Sequence, residues 1–105
     1  MADGGRVFLQ EVRHVVGPVE VTVEFYGIPR QRAGRGELTV AARTVGDALA
    51  AVEAACPGLA GLLRPDGKLS PHYLLSLDGQ EFAADEGLPL KQGQRLLLLS
   101  ADAGG

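Results

Sequence analysis

Cysteine is nearly missing from this chain: Cys56 stands alone among 105 residues. No intramolecular disulfide can form, and no four-thiolate zinc or iron–sulfur site can be assembled within one chain. Long apolar runs are lacking too. None approaches the roughly 20 residues needed to cross a bilayer, and the opening MADGGRVFLQEVRHVVG has no continuous apolar stretch of the signal-peptide kind. We therefore expect a cytoplasmic protein with no membrane partner. Positive charge is not in excess: Lys and Arg number 10 against 13 Asp and Glu, a net charge of -3. That balance provides no electrostatic footprint for nucleic acid, so protein or small-molecule partners are expected. Catalytic signatures are equally sparse. There is no paired acid and base and no nucleophile motif, and Gly34-x-Gly36 does not open a helix as a phosphate cradle would. His14 and His72 are far apart and lack a local ligand pattern, so neither a metal site nor a catalytic residue is assigned.

What is present is one domain's worth of core, with 46% apolar residues. Residues 1–18 form a leader that is either partly disordered or an added element. Its Arg6 to Val16 reads as a strand with Val7 and Leu9 on one face, or as a helical turn grouping Phe8, Val12, Val15 and Val16. Gly17-Pro18 separates it from a body over 19–100. In that body Val19, Val21, Val23 and Phe25 alternate with Glu20, Thr22 and Glu24, the period of a half-buried strand. Tyr26 to Gly36, with Gly27, Pro29, Gly34 and Gly36 and the basic Arg30, Arg32 and Arg35, reads as an exposed loop before a strand over 37–42.

Thr44 is a good helix cap and Asp47 a favourable first-turn carboxylate. Val45, Leu49, Val52 and Cys56 recur at helical spacing, so a helix is predicted over about 45–56, with Cys56 a small core residue. Strands follow over 72–77, 80–82 and 95–100, the first two joined at Asp78-Gly79. Residues 101–105 are too short and glycine-rich for an element of their own. The order strand, strand, helix, strand, short strand, strand suits a two-layer α+β domain. One main helix would cover one face of a mixed sheet of about 4–5 strands, serving as the crossover between parallel first and last strands.

The opening strand VTVEFYG, the helix start TVGDALAAV, the turn-bearing LSLDGQEF, the run LPLKQGQRLLLLS and the final Ala103-Gly104-Gly105 together resemble the MoaD/ThiS family of ubiquitin-like sulfur carriers. The body length is nearer to MoaD, the small subunit of molybdopterin synthase. The resemblance implies a β-grasp fold and a carrier rather than an enzyme. It also implies that an adenylating, MoeB/ThiF-like partner uses ATP to activate the Gly105 carboxylate, after which sulfur replaces the adenylate. No cofactor is held permanently. The thiocarboxylate would then serve the large synthase subunit in molybdenum-cofactor assembly, or another acceptor enzyme for thiamine, cysteine or a further sulfur-containing product.

The chemistry suits these residues. A carboxylate is a poor electrophile until adenylation supplies a leaving group, and Gly104, lacking Cβ, keeps the tail thin enough to thread a partner's channel. In the last strand Leu96 and Leu98 share one face while Leu97 and Leu99 share the other. One pair meets the helix, and the other is either a docking surface, together with Ala103, or covered, with the leader as one candidate cover. Parity does not say which pair is which. A β-grasp interaction module without carrier chemistry is the alternative from a different functional class.

Overall fold

The computed structural model describes residues 17–83 and 85–101. Val7, Phe8, Leu9, Val12, His14, Val15 and Val16 of the leader, and Asp102, Ala103, Gly104 and Gly105 of the tail, lie outside the described residues.

Alternation builds the first strand, β1 (Val19–Phe25), and burial follows it: Val21, Val23 and Phe25 are 1%, 0% and 1% exposed while Glu20 stays in solvent. It pairs antiparallel with β2 (Glu37–Ala42), from Val19 opposite Ala42 to Glu24 opposite Glu37.

The stretch expected to be a loop between them contains a helix, α1 (Ile28–Ala33). This corrects the reading of Tyr26 to Gly36. The residues that looked like breakers are its start and stop signals: Pro29 occupies the first turn, where a missing N–H costs nothing, and Gly34 ends the helix at φ 74. The Gly34 amide donates to the Arg30 carbonyl at 3.0 Å. Pro29 is buried, and Arg30, Arg32 and Arg35 remain exposed as expected.

The main helix, α2 (Val45–Ala55), starts where its cap predicts: the Thr44 hydroxyl accepts the Asp47 amide at 3.2 Å. Its apolar stripe is fully used, with Val45, Leu49, Val52 and Cys56 between 0% and 2% exposed. A 3₁₀ turn (Pro57–Leu59) follows and seats Leu59, with Leu63 beyond it, both 0% exposed. Gly58 permits a backbone contact with α1, since a Cβ there would lie 2.0 Å from the Arg32 carbonyl oxygen. The segment after the turn is held by charge-assisted bonds. Glu53 accepts the Gly61 and Arg64 amides, and Arg64 pairs with Glu86 at 2.8 Å, whose carboxylate also accepts the Leu69 amide.

The chain then adds β3 (Tyr73–Leu77), β4 (Glu81–Phe82) and β5 (Arg95–Ser100). The β3–β4 turn uses left-handed Asp78 and Gly79, at φ 54 and 74, as the Asp-Gly pair predicts. Strand order across the sheet is β2-β1-β5-β3-β4, with β1 and β5 parallel at the centre. The architecture is the α+β, ubiquitin-like β-grasp: a mixed five-stranded sheet with α2 across one face.

Candidate docking face and the base of the C-terminal tail

The register of β5 settles which of its leucines are core. Leu96 and Leu98 pair with Val23 and Phe25 of β1 and are 0% exposed, so these two leave the candidate docking surface. They face the same way as the β1 side chains that meet α2. Leu97 and Leu99 point to the opposite face and are only partly buried.

That second face gathers apolar residues from β3, β4 and β5 and from Tyr26, just past the end of β1. Leu97 lies between Glu24 of β1 and Ser76 of β3, and Ser76 in turn pairs with Phe82 of β4. Leu99 pairs with Leu74 of β3, and Tyr26 continues β1 on the same side as Glu24. Tyr26, Leu74 and Phe82 are 42%, 37% and 62% exposed, so most of the exposed large hydrophobics among the described residues lie here. Sequence reasoning named Leu97 and Leu99 and missed these three. Tyr26 was legible, because it continues the alternation of Glu20, Thr22 and Glu24. Leu74 and Phe82 required the β3–β5 and β3–β4 registers.

A polar strip borders the patch. The Glu24 carboxylate accepts from the Tyr26 hydroxyl and from the Arg95 guanidinium, which also reaches Glu37 at 3.3 Å. The Tyr26 hydroxyl and then Arg95 hold the Glu24 carboxyl below the usual carboxylate range. The same bond to Glu24 pushes the Tyr26 phenol up, and the Arg95 guanidinium is raised chiefly by its bond to Glu24.

Because β1 and β5 are parallel, the end of β5 emerges beside the end of β1. The Tyr26 amide donates to the Leu98 carbonyl at 3.1 Å, and the Ala101 amide to the His72 carbonyl at 2.8 Å. Residue 101 thus leaves the sheet at the same end as Tyr26, Leu74 and Leu99. The predicted Ala103, Gly104 and Gly105 follow it and lie outside the described residues.

A cleft of about 520 Å³ lies between α2 and the stretches around Ser70 and Asp85, with Leu74 also in its lining. Its buried Ser70 hydroxyl is engaged as acceptor for the His72 amide at 3.1 Å. Among the described residues no group of three or more His, Cys, Asp or Glu side chains is placed to hold a metal ion. No described helix is long and apolar enough to cross a membrane.

No family profile and no curated protein matches this sequence. Solved structures do. The fold superposes on small archaeal modifier protein 1 (SAMP1) from Haloferax volcanii with a TM-score of 0.71 and 30% identity, covering 82% of this chain and 99% of that one. The chain belongs to the MoaD/ThiS family of ubiquitin-like proteins. SAMP1 from Methanosarcina acetivorans is similar to this MoaD/ThiS-family chain at 25% identity and a TM-score of 0.71, covering 84% of this chain and 98% of that one. A structure of the complex of subunits 1 and 2 of the molybdopterin-converting factor from Helicobacter pylori shares the fold at 22% identity and a TM-score of 0.58, over 83% of this chain and 100% of that one.

Proposed function

We propose that this MoaD/ThiS-family protein is a sulfur carrier whose Gly105 carboxylate is adenylated by an ATP-using, MoeB/ThiF-like enzyme and converted to a thiocarboxylate. The sulfur goes to an acceptor enzyme, in the first instance the large subunit of a molybdopterin synthase. The observation that carries this reading is that the sequence ends in Gly104-Gly105, separated by three residues from Ser100 at the end of β5, the strand whose Leu97 and Leu99 belong to the open apolar face. The carrier needs no general base of its own. It needs a thin tail and a docking face at its root, and β5 with its extension supplies the tail together with Leu97 and Leu99 of that face. Gly104 supplies the slender approach, Gly105 the reacting carbon, and Leu97, Leu99, Tyr26, Leu74 and Phe82 the surface on which the activating enzyme and the acceptor alternate. As a protein with this role it acts as a non-catalytic partner.

The likeness to proteins named small archaeal modifiers favours a second reading with the same first step. Here the activated Gly105 carbonyl passes to an amine of a target protein, forming an amide as the adenylate departs.

Intact mass separates the two. Incubated with ATP, a cognate activating enzyme and a sulfur donor, the carrier gains the difference between one sulfur and one oxygen. A modifier instead accumulates as a covalent adduct with a target. Adding one alanine after Gly105 abolishes either product. An extended chain that still supports full activity in an acceptor assay would leave only the interaction-module reading.

A further inference from the structure

The sheet edge at β3 is only half covered. The two-residue β4 pairs with Ser76 and Leu77, the Ala83 amide donates to the Leu75 carbonyl at 2.8 Å, and the pairing ends there. The cleft of about 520 Å³ begins at that point, with Tyr73, Leu74, Leu75 and Ala83 in its lining.

Backbone parity decides what this stretch of β3 presents to the cleft. The Ala101 amide donates to the His72 carbonyl and the Asp78 amide to the Arg95 carbonyl, so His72, Leu74, Ser76 and Asp78 turn their main-chain groups to β5. Tyr73 and Leu75 turn theirs the other way. The Tyr73 amide donates to the Ser70 carbonyl at 3.0 Å, and the Leu75 carbonyl accepts from Ala83. The Tyr73 carbonyl and the Leu75 amide have no partner among the described residues, although these residues are 7% and 1% exposed. Buried main-chain groups are nearly always paired, and an acceptor and a donor on one open strand edge match the main chain of an added strand. On its α2 side the cleft is apolar, floored by Val45, Leu49 and Leu69. Its rim is held by Glu86, whose carboxylate binds Arg64 and the Leu69 amide and whose carbonyl accepts the Gly46 amide at 2.8 Å.

We propose that this cleft is a second recognition site, taking a short extended segment of a partner protein that carries an apolar side chain. The segment donates one N–H to the Tyr73 carbonyl and accepts the Leu75 N–H, as a strand added to the sheet edge does. Side chains alternate along such a segment. The residue opposite Leu74 lies beside it on the open face, and its neighbour enters between β3 and α2, over Val45, Leu49 and Leu69. A free apolar molecule would fill the floor and leave both main-chain groups unanswered, so a peptide is the better fit. Leu74 belongs to both surfaces, which gives a partner on the open face a continuous path round the β3 edge. The site requires neither adenylation nor sulfur transfer.

An acetylated and amidated hexapeptide of alternating valine and threonine, titrated into the isotope-labelled full-length chain, tests this by nuclear magnetic resonance. The Leu75 and Ala83 amide resonances are expected to shift, while Thr39 on the opposite edge strand stays unmoved. The same peptide methylated on its backbone nitrogens is expected to bind about tenfold more weakly, because it has no N–H for the Tyr73 carbonyl. Ala83→Phe, which fills the cleft, should abolish the shifts; if that variant does not fold, the methylated peptide makes the same distinction on the native chain. A Leu75 amide that does not move would overturn the proposal, as would equal binding of the methylated peptide. So would a Leu75 resonance that moves on dilution without peptide, because a second copy would then occupy the edge. No step uses ATP or an activating enzyme, so failure here and failure of the carrier reading in the mass experiment are separate results.

Discussion

Leu96 and Leu98 on one side of β5, and Leu97 and Leu99 on the other, are the same residue type on the same strand, yet only the first pair is sealed. The sealed side has α2 and the 3₁₀ turn laid over it, with Val21, Val23, Phe25, Leu49 and Leu75 completing the contacts. The other side presents Tyr26, Leu74 and Phe82 to solvent and is edged by the Tyr26–Glu24–Arg95–Glu37 strip. Hydrophobicity alone therefore does not distinguish core from docking surface in this strand. What distinguishes them among the described residues is which side α2 and the 3₁₀ turn cover.

The largest test of that contrast is to truncate one leucine on each side. Leu98→Ala removes a fully buried side chain and leaves a cavity, at a cost of about 2–5 kcal/mol in denaturant unfolding. Leu97→Ala, from the half-covered side, costs roughly 1 kcal/mol. Equal losses would mean that both faces are core. A smaller effect is expected in the covering layer itself. Gly58→Ala drives a methyl into the Arg32 carbonyl, so the 3₁₀ turn and α1 must separate, costing roughly 1–3 kcal/mol. An unchanged unfolding midpoint would show that this cover is loose rather than packed backbone to backbone.

The smallest effect belongs to the open face and depends on pH. The Glu24 carboxyl is held below its ordinary value of 4.5, so its contribution to stability is present above that value and is lost as pH falls through the lowered folded one. The Tyr26 phenol is raised above its ordinary 10.0, so its contribution is present below that value and is lost as pH rises through the raised folded one. Solvent screening keeps both small. Glu24→Gln should flatten the acid limb of a stability profile measured from pH 2 to 6 on the order of one glutamate's titration. A profile identical to that of the native protein would remove the polar strip from the account.

Much of the architecture was legible from local pattern. The alternation of β1, the Thr44 cap with Asp47, the helical spacing from Val45 to Cys56 and the Asp78-Gly79 turn each record a short-range geometric requirement, and each is met in the fold. The helix α1 was not legible in the same way. Six residues are too few for a hydrophobic period to show, and its stability comes from burying Pro29 and from the approach of Gly58, both contacts between distant parts of the chain.

The docking face divides along the same line. Residue parity in β5 is a property of the strand and separates Leu96 and Leu98 from Leu97 and Leu99 without any structure. Gly104-Gly105, likewise, is visible only as sequence, and its chemistry follows from what two glycines and a carboxylate can do. Which leucines face α2, and that Leu74, Phe82 and Tyr26 join the others, depend on strand order and register across β1, β5, β3 and β4. Those pairings join residues many positions apart. Their choice rests on the burial of the whole sheet face at once, which no local window contains.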